Sequence, residues 1–267
     1  MAEESDPGRD GTADPEPHSL PDPFGRGIRD VHRDEQEEPL YQWGDGYGRE
    51  HPIERFYFSG FDPEGSARDA WLLEGLDLDG PVLDMGAGAG RHTRYLQERT
   101  ETVAIEPSEH LVWTMRERGV ADPRPGDMFE LPRQFDRDRF RSAFAVGTQA
   151  GIAGSMDGLR AFLADFAHVT DPDGRAVLDC YGPGGEGASD MFGFRADPTP
   201  GLAHRVMHFE YEGDVGPALQ FRLFAPDRLR EACIGTRWTV ADVRYDEGGV
   251  HYRAALAKRR QFWRGSR

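Results

Sequence analysis

An acid and three glycines at alternate positions, Asp84, Gly86, Gly88 and Gly90, stand in the stretch PVLDMGAGAGRHTRYL at residues 81–96. An apolar run ends in the acid, and a helical pattern follows the last glycine. Glycine after a strand tolerates positive φ and lets a ligand approach the backbone with no Cβ in the way, so this turn is suited to a nucleotide-like molecule. A dinucleotide fingerprint needs its third glycine at position 91, where this chain has Arg91. A phosphate loop needs Gly-Lys-Ser/Thr, and none follows. Asp84 is the other departure, because a carboxylate at the end of the strand is electrostatically unwelcome beside a phosphate and suits a ligand with positive charge. Glu106 ends the next apolar run, VAIEPS, 22 residues after Asp84. A carboxylate there can accept both ribose hydroxyls, a feature that dinucleotide folds share.

Short apolar runs alternating with amphipathic helices must hold these residues. VLDM, TVAIE, SAFAVG and RAVLDCY read as buried strands, and RHTRYLQER, SEHLVWTMRERG and SMDGLRAFLADFAHV as the helices between them. The helix from Glu109 has Ser108 as its N-cap and Gly119 just beyond its end. The last of the three places Leu159, Phe162, Leu163, Phe166 and Val169 on one face. After Tyr181 the rhythm breaks into a glycine-rich loop, a hairpin around Gly213 and Gly216, a helix starting at Pro226, and two alternating strands joined by DEGG. The expected fold class is α/β: a doubly wound, mostly parallel sheet of about seven strands with a final antiparallel hairpin, plus an inserted β-hairpin and an N-terminal extension. The expected organisation is a disordered acidic tail over 1–39, an extension over 40–79 that forms part of a pocket lid, a main domain over 80–258 with an insertion at 182–224, and a basic tail over 259–267.

Composition limits the partners. The chain of 267 residues has 48 acidic residues against 32 basic ones, a net charge of −16, and Lys258 as its single lysine. Such a surface repels nucleic acid, which makes a nucleic-acid partner unlikely. Abundant acid with almost no lysine resembles the proteins of salt-loving archaea, in which excess acid keeps a protein hydrated in strong brine. No run of about 18 apolar residues offers a membrane span, and the start MAEESDPGRD lacks the regions of a signal peptide. A cytoplasmic protein is expected. Cys180 and Cys233 are far apart, which supports neither a disulfide framework nor a zinc site, and no metal is expected.

VLDMGAGAG resembles the first motif of the class I, seven-stranded Rossmann-like S-adenosylmethionine-dependent methyltransferases, in which an acid-x-Gly-x-Gly-x-Gly turn holds the methionine and nucleoside parts of the cofactor. The resemblance implies that Asp84, Gly86, Gly88, Gly90 and Glu106 bind S-adenosylmethionine. In GDMFELP it implies that Asp127 receives the adenine amino group with Met128 packing by the ring, and in SAFAVGTQAG that Gly147 and Thr148 line the cofactor. Taken alone, Asp84 also fits a capping acid and Asp127 an ordinary turn acid, and the short, proline-broken VADPRPGD leaves the placement of Asp127 open. Methyl transfer from a sulfonium is in-line displacement on an already activated carbon, so the protein's work is alignment and exclusion of water. No catalytic residue is assigned. Ligands of open α/β sheets sit at the carboxyl ends of strands, which makes Tyr57, Gln149 and Tyr181 candidates for the acceptor pocket. His92 reads as a solvated helix start, Arg222 as a solvated strand position, and Asp179 as facing a helix or the sheet edge. The expected function is methyl transfer to a small-molecule acceptor. The alternatives are an RNA or protein methyltransferase and a non-catalytic S-adenosylmethionine-binding regulatory protein.

Overall fold

The structure is a computed structural model and describes residues 21–259. In chain order the elements are α1 (Pro23–His32), β1 (Tyr41–Gly44), β2 (Tyr47–Glu50), a π-helical turn (Glu54–Phe58), α2 (Ala67–Gly75), β3 (Val82–Met85), α3 (Thr93–Leu96), β4 (Thr102–Glu106), α4 (Glu109–Glu117), β5 (Pro123–Pro125), α5 (Leu131–Gln134) and β6 (Phe140–Ala145). A 3₁₀ turn (Gln149–Ala153) then leads into α6 (Met156–Val169), β7 (Thr170–Tyr181), β8 (Phe194–Ala196), β9 (Leu202–Tyr211), β10 (Asp214–Val215), β11 (Leu219–Phe224), α7 (Pro226–Ala232), β12 (Trp238–Tyr245) and β13 (His251–Lys258).

The main sheet has seven strands in the order β12-β13-β7-β6-β3-β4-β5. Strands β5, β4, β3, β6 and β7 are mutually parallel. β13 runs antiparallel to β7 and to β12. Strand order reverses at β3, whose carboxyl end therefore faces the crevice where open sheets hold ligands. β3 and β4 are buried along their whole length, as expected of strands covered by helices on both faces. Ser108 caps α4 by accepting from the Leu111 N–H, and Ser155 caps α6 by accepting from the Gly158 N–H. The anticipated apolar face of α6 is buried throughout.

Two differences from the sequence reading change the picture of the chain's N-terminal part. Residues 1–20 of the expected tail, and 260–267 of the basic C-terminal tail, lie outside the described residues. Residues 23–32, expected to be disordered, form α1. Asp22 caps it by accepting from the Gly25 N–H, and Ile28 is fully buried. Gly25 is tightly fitted there: a Cβ would lie 2.0 Å from the Ser108 Oγ and displace it or Asp22. The second difference is that the extension and the insertion are one structure. β1 pairs with β2 and with β9, and β9 also pairs with β8, β10 and β11, giving a second, antiparallel sheet. The inserted hairpin was legible from its alternation, but its partner strand lay 165 to 169 residues earlier, in a segment too short and glycine-rich to announce a strand.

The single lysine is internal. Lys258 Nζ donates to the Ala167 carbonyl at 2.6 Å and to the Thr170 carbonyl, and lies over the Trp238 ring. It thus satisfies the carboxyl end of α6. Lys258→Met, which keeps the stem and removes the donor, is expected to lower the free energy of unfolding by about 1–3 kcal/mol, read by urea denaturation, since both buried carbonyls lose their partner.

Candidate active site

The glycine turn is built to be approached closely. Gly86, Gly88 and Gly90 all have positive φ, at 67°, 57° and 75°. A Cβ on Gly90 would meet Val120 at 2.7 Å and Met115 at 3.2 Å, so this position serves the packing of the turn against α4 and the residues just beyond its end. A Cβ on Gly86 would strike the Gln149 side chain at 2.8 Å, and one on Gly88 would press on the Tyr57 ring at 3.2 Å. Gln149 and Tyr57, both expected at the pocket, therefore do lie against the turn.

Asp84, next to the last residue of β3, has its side chain buried and accepts from the Thr93 hydroxyl at 2.6 Å. Burial pushes its carboxyl up to about 7, helped by the nearby charge of Glu106 and opposed by Thr93. Glu106 ends β4, also buried, and accepts from the Gly88 N–H at 2.9 Å and from the Ser108 N–H at 3.4 Å. Burial pushes it up to about 7 as well, against the pull of those two N–H groups. Asp127, beyond β5, is exposed and closes a turn by accepting from the Phe129 N–H, and Met128 beside it is buried.

Gly147 and Thr148 follow β6, both with positive φ, at 94° and 67°. Thr148 is not glycine, and a left-handed threonine is strained, so something must hold it. Asp179 does: its buried carboxylate accepts from the Gly147 N–H at 2.9 Å and the Thr148 N–H at 2.5 Å, and contacts His251 Nε2 at 3.1 Å. Burial works against its charge, but His251 and the two amides more than offset this and keep the carboxyl below its ordinary range. Asp179 thus faces the β6 turn rather than a helix or the sheet edge. Tyr181 packs edge-on to His251, with ring centroids 4.9 Å apart.

Above these strand ends lies a roof from the N-terminal part. Phe24 of α1 packs edge-on to Tyr57 at 5.7 Å and against Phe209 of β9 at 4.6 Å. The Tyr57 hydroxyl contacts His51 Nε2 at 3.3 Å, and burial beside Glu106 raises the Tyr57 phenol far above its usual range. Asp22 accepts from the Ser108 hydroxyl, which fastens α1 to the loop after Glu106. Arg91, where a dinucleotide turn would have glycine, fastens the other side: it pairs with Asp69 at 2.7 Å and donates to the carbonyls of Ser59 and Gly60. His92 is not a solvated helix start. It sits edge-on to Phe61 and Phe144, and burial, with Arg91 nearby, lowers it to about 3. Arg222 is not solvated either, being paired with Asp197 and only 11% exposed at its side chain. Asp22, His51, Asp179 and His251 were missed as contributors. A carboxylate at the end of the strand next to a Gly-Thr turn was the one available signal, for Asp179.

Fold and site together define a Rossmann-like domain for a nucleoside-bearing ligand. Residues 82–174 match the methyltransferase domain family. Among solved structures, a methyltransferase from Bacteroides fragilis in complex with S-adenosylhomocysteine is 21% identical with a TM-score of 0.71, over 89% of this chain and 94% of that one. The CcbJ methyltransferase from Streptomyces caelestis is 19% identical with a TM-score of 0.55, over 77% and 96%. The 1,6-didemethyltoxoflavin-N1-methyltransferase of Burkholderia thailandensis is 18% identical with a TM-score of 0.52, over 92% and 94%. Identities this low speak to the fold alone. No curated protein matches the chain by sequence comparison. The matched residues carry the acid-ended strand and the glycine turn, and that stretch is similar to the methyltransferase domains that use S-adenosylmethionine.

The cofactor suits the residues present. The turn has the open backbone that a ligand needs, and two buried carboxyls stand where a cationic amino acid and ribose hydroxyls would favour their ionised forms. Without ligand, their raised folded-state values favour the protonated acids. The stability this confers is full below about pH 4 and is lost as pH rises through about 7. Asp84→Asn, which cannot ionise, should therefore gain in melting temperature relative to the unsubstituted ligand-free protein between pH 5 and pH 8, by several degrees, as measured by scanning calorimetry at matched ionic strength.

Proposed function

We propose that the protein transfers the methyl group of S-adenosylmethionine to a small-molecule acceptor by in-line displacement, with Asp84, Gly86, Gly88, Gly90, Glu106, Asp127, Met128, Gly147 and Thr148 holding the cofactor and Tyr57, Gln149 and Tyr181 facing the acceptor. The observation that carries this reading is the roof: α1, the π-helical turn and β9 bring Phe24, His51, Tyr57 and Phe209 together over the strand ends. A covered, aromatic-lined site suits a compact acceptor better than an RNA or a protein surface, and the −16 charge disfavours RNA further. The bound cofactor supplies a methyl group on a positively charged sulfur. The protein's part is to hold and orient that group, to keep water out under the roof, and to present the acceptor in line. Glu106 would accept from ribose hydroxyls, Asp84 would face the cationic amino acid end, and Asp179 would keep the Gly147–Thr148 turn in shape from behind. No helix among the described residues is long and apolar enough to cross a membrane. A cytoplasmic site of action accords with dependence on this cofactor.

Titration calorimetry with S-adenosylmethionine, S-adenosylhomocysteine and NADH tests the donor assignment. We expect micromolar binding of the first two and none of the third, weakened at least about tenfold in Asp84→Ala and Glu106→Ala. A well-folded protein that binds neither sulfur compound would overturn it.

We also read the acidity as salt adaptation, with the single lysine kept for an internal contact and the surface left to acids and arginine. Screening of ordinary surface repulsion is nearly complete by about 0.2 M salt. A salt-adapted chain should go on gaining melting temperature from there to about 2 M KCl, and a plateau or decline over that range would refute the idea.

A further inference from the structure

We infer that the methyl acceptor is an aromatic acid, whose carboxylate is bound by Arg205; this rests on the acceptor site proposed above. Alternation along β9 puts Arg205 on the same face as the buried residues Ala203, Met207, Phe209 and Tyr211. It is thus a cation on the inward, largely apolar face of the accessory sheet, flanked in register by Phe194 and Phe221. Its guanidinium donates to the Phe192 carbonyl at 2.9 Å and reaches the Gln42 Oε1 at 3.4 Å. Arg49 of β2 donates to that same oxygen, at 3.3 Å from Nε and 3.2 Å from Nη2. Gln42 is itself buried, with its amide nitrogen against the Met207 sulfur. Two guanidiniums therefore share one neutral oxygen, and neither forms an ion pair among the described residues.

Acids outnumber bases by 16, and several partly buried arginines have found a carboxylate: Arg91 with Asp69, Arg141 with Asp77, Arg222 with Asp197. Arg205 has not, and neither has buried Arg253, whose guanidinium is spoken for by the Arg68 carbonyl, but Arg205 alone of these two stands on the accessory sheet with a second guanidinium on the same oxygen. A half-buried guanidinium without a counter-charge is costly, and burial together with Arg49 already lowers the proton affinity of Arg205. The place where this cost is tolerated is the acceptor face. Phe221, the register partner of Arg205, packs on Gly151 of the turn that begins at Gln149, and Arg205 is within electrostatic reach of Tyr181 and His51. His51 holds the Tyr57 hydroxyl, and Tyr57 lies on Gly88 of the cofactor turn. His51 Nδ1 is buried with no partner. Burial and the two arginines hold its pKa down at about 4, so the ring is neutral and adds no third charge. An unmatched planar cation between Phe194 and Phe221 on the inward face of the accessory sheet fits a planar ring bearing a carboxylate, which the guanidinium fork can bind through two parallel hydrogen bonds.

The test uses matched acid and amide pairs, namely benzoate, salicylate and anthranilate with their amides, titrated into protein saturated with S-adenosylhomocysteine. We expect at least one acid to bind about tenfold or more tighter than its amide. In Arg205→Gln the preference should fall to within about twofold, in Arg205→Lys it should be partly kept because the charge remains, and Arg49→Gln, at an exposed position, should show a smaller loss. Saturation with S-adenosylhomocysteine at unchanged affinity certifies each variant as folded. The proposal is overturned if no acid is preferred over its amide, or if the preference is the same in Arg205→Gln as in the parent. Failure of the parent protein to bind S-adenosylhomocysteine would be seen first, and would instead remove the donor-site reading on which the proposal stands.

Discussion

The bond from the Gly88 amide to the Glu106 carboxylate, 2.9 Å long and buried, ties together the ends of two neighbouring parallel strands. β4 finishes in Glu106 and β3 has Asp84 next to its last residue, so both acids stand at the strand ends beside the reversal of strand order at β3. Both are buried, so each carboxyl is pushed up to about 7. Left without partners such a pair would be a liability. Thr93, Gly88 and Ser108 satisfy part of the demand, and a ligand with a cationic end and paired hydroxyls is the natural complement for the rest. The positive φ values of the turn follow from the same requirement, because only a backbone free of Cβ atoms lets a ligand, or the Tyr57 ring, lie directly against it.

Keeping water out depends on contacts between segments remote in sequence. Arg91 joins the turn to residues 59, 60 and 69, and Asp22 joins α1 to Ser108. β9 carries Phe209 to Phe24 and His51 by pairing with β1. The first two anchors lie just beyond the ends of β3 and β4, so order in the roof and order at those strand ends are coupled. The replacement of glycine by Arg91 is informative here. In a dinucleotide turn a side chain at this place obstructs close packing, whereas in this chain the arginine leans outward and becomes the tether of the N-terminal part.

Most of the parallel core was legible because β3, β4, β6 and the second half of β7 are apolar runs and α4 and α6 carry period-3.6 faces with serine caps, whereas the proline-broken β5 offered no such run. Asp84, Glu106 and the glycines were readable for the same reason: they are local, fixed in spacing, and belong to one strand-turn-helix unit. α1 was not legible, because Gly25 and Gly27 depress helix propensity and its burial comes from α4 and β9, which sequence proximity does not reveal. β1 and β2 hid behind glycines, a tight turn and a partner in another part of the chain. Asp179 looked isolated because its partners, Gly147, Thr148 and His251, come from remote segments of the chain. In each case the missing information was a long-range contact rather than an unusual residue.

Charge placement carries the remaining meaning. With so large an acid excess, a basic side chain at the surface finds a carboxylate readily, and its pairing says little. The cations that face inward are different, since burial exacts a desolvation cost that something must offset. Lys258 is offset by two carbonyls and the Trp238 ring, which makes it a structural part of the α6 and β13 packing. Arg91 and Arg222 are offset by Asp69 and Asp197. Arg205 is offset only by neutral oxygens, one of which it shares with exposed Arg49, and it stands on the inward face of the accessory sheet. Excess acid over the whole chain and an unmatched positive charge at its covered aromatic face are therefore not in conflict: the first repels anions in general, and the second selects the anion whose shape can pass beneath the roof.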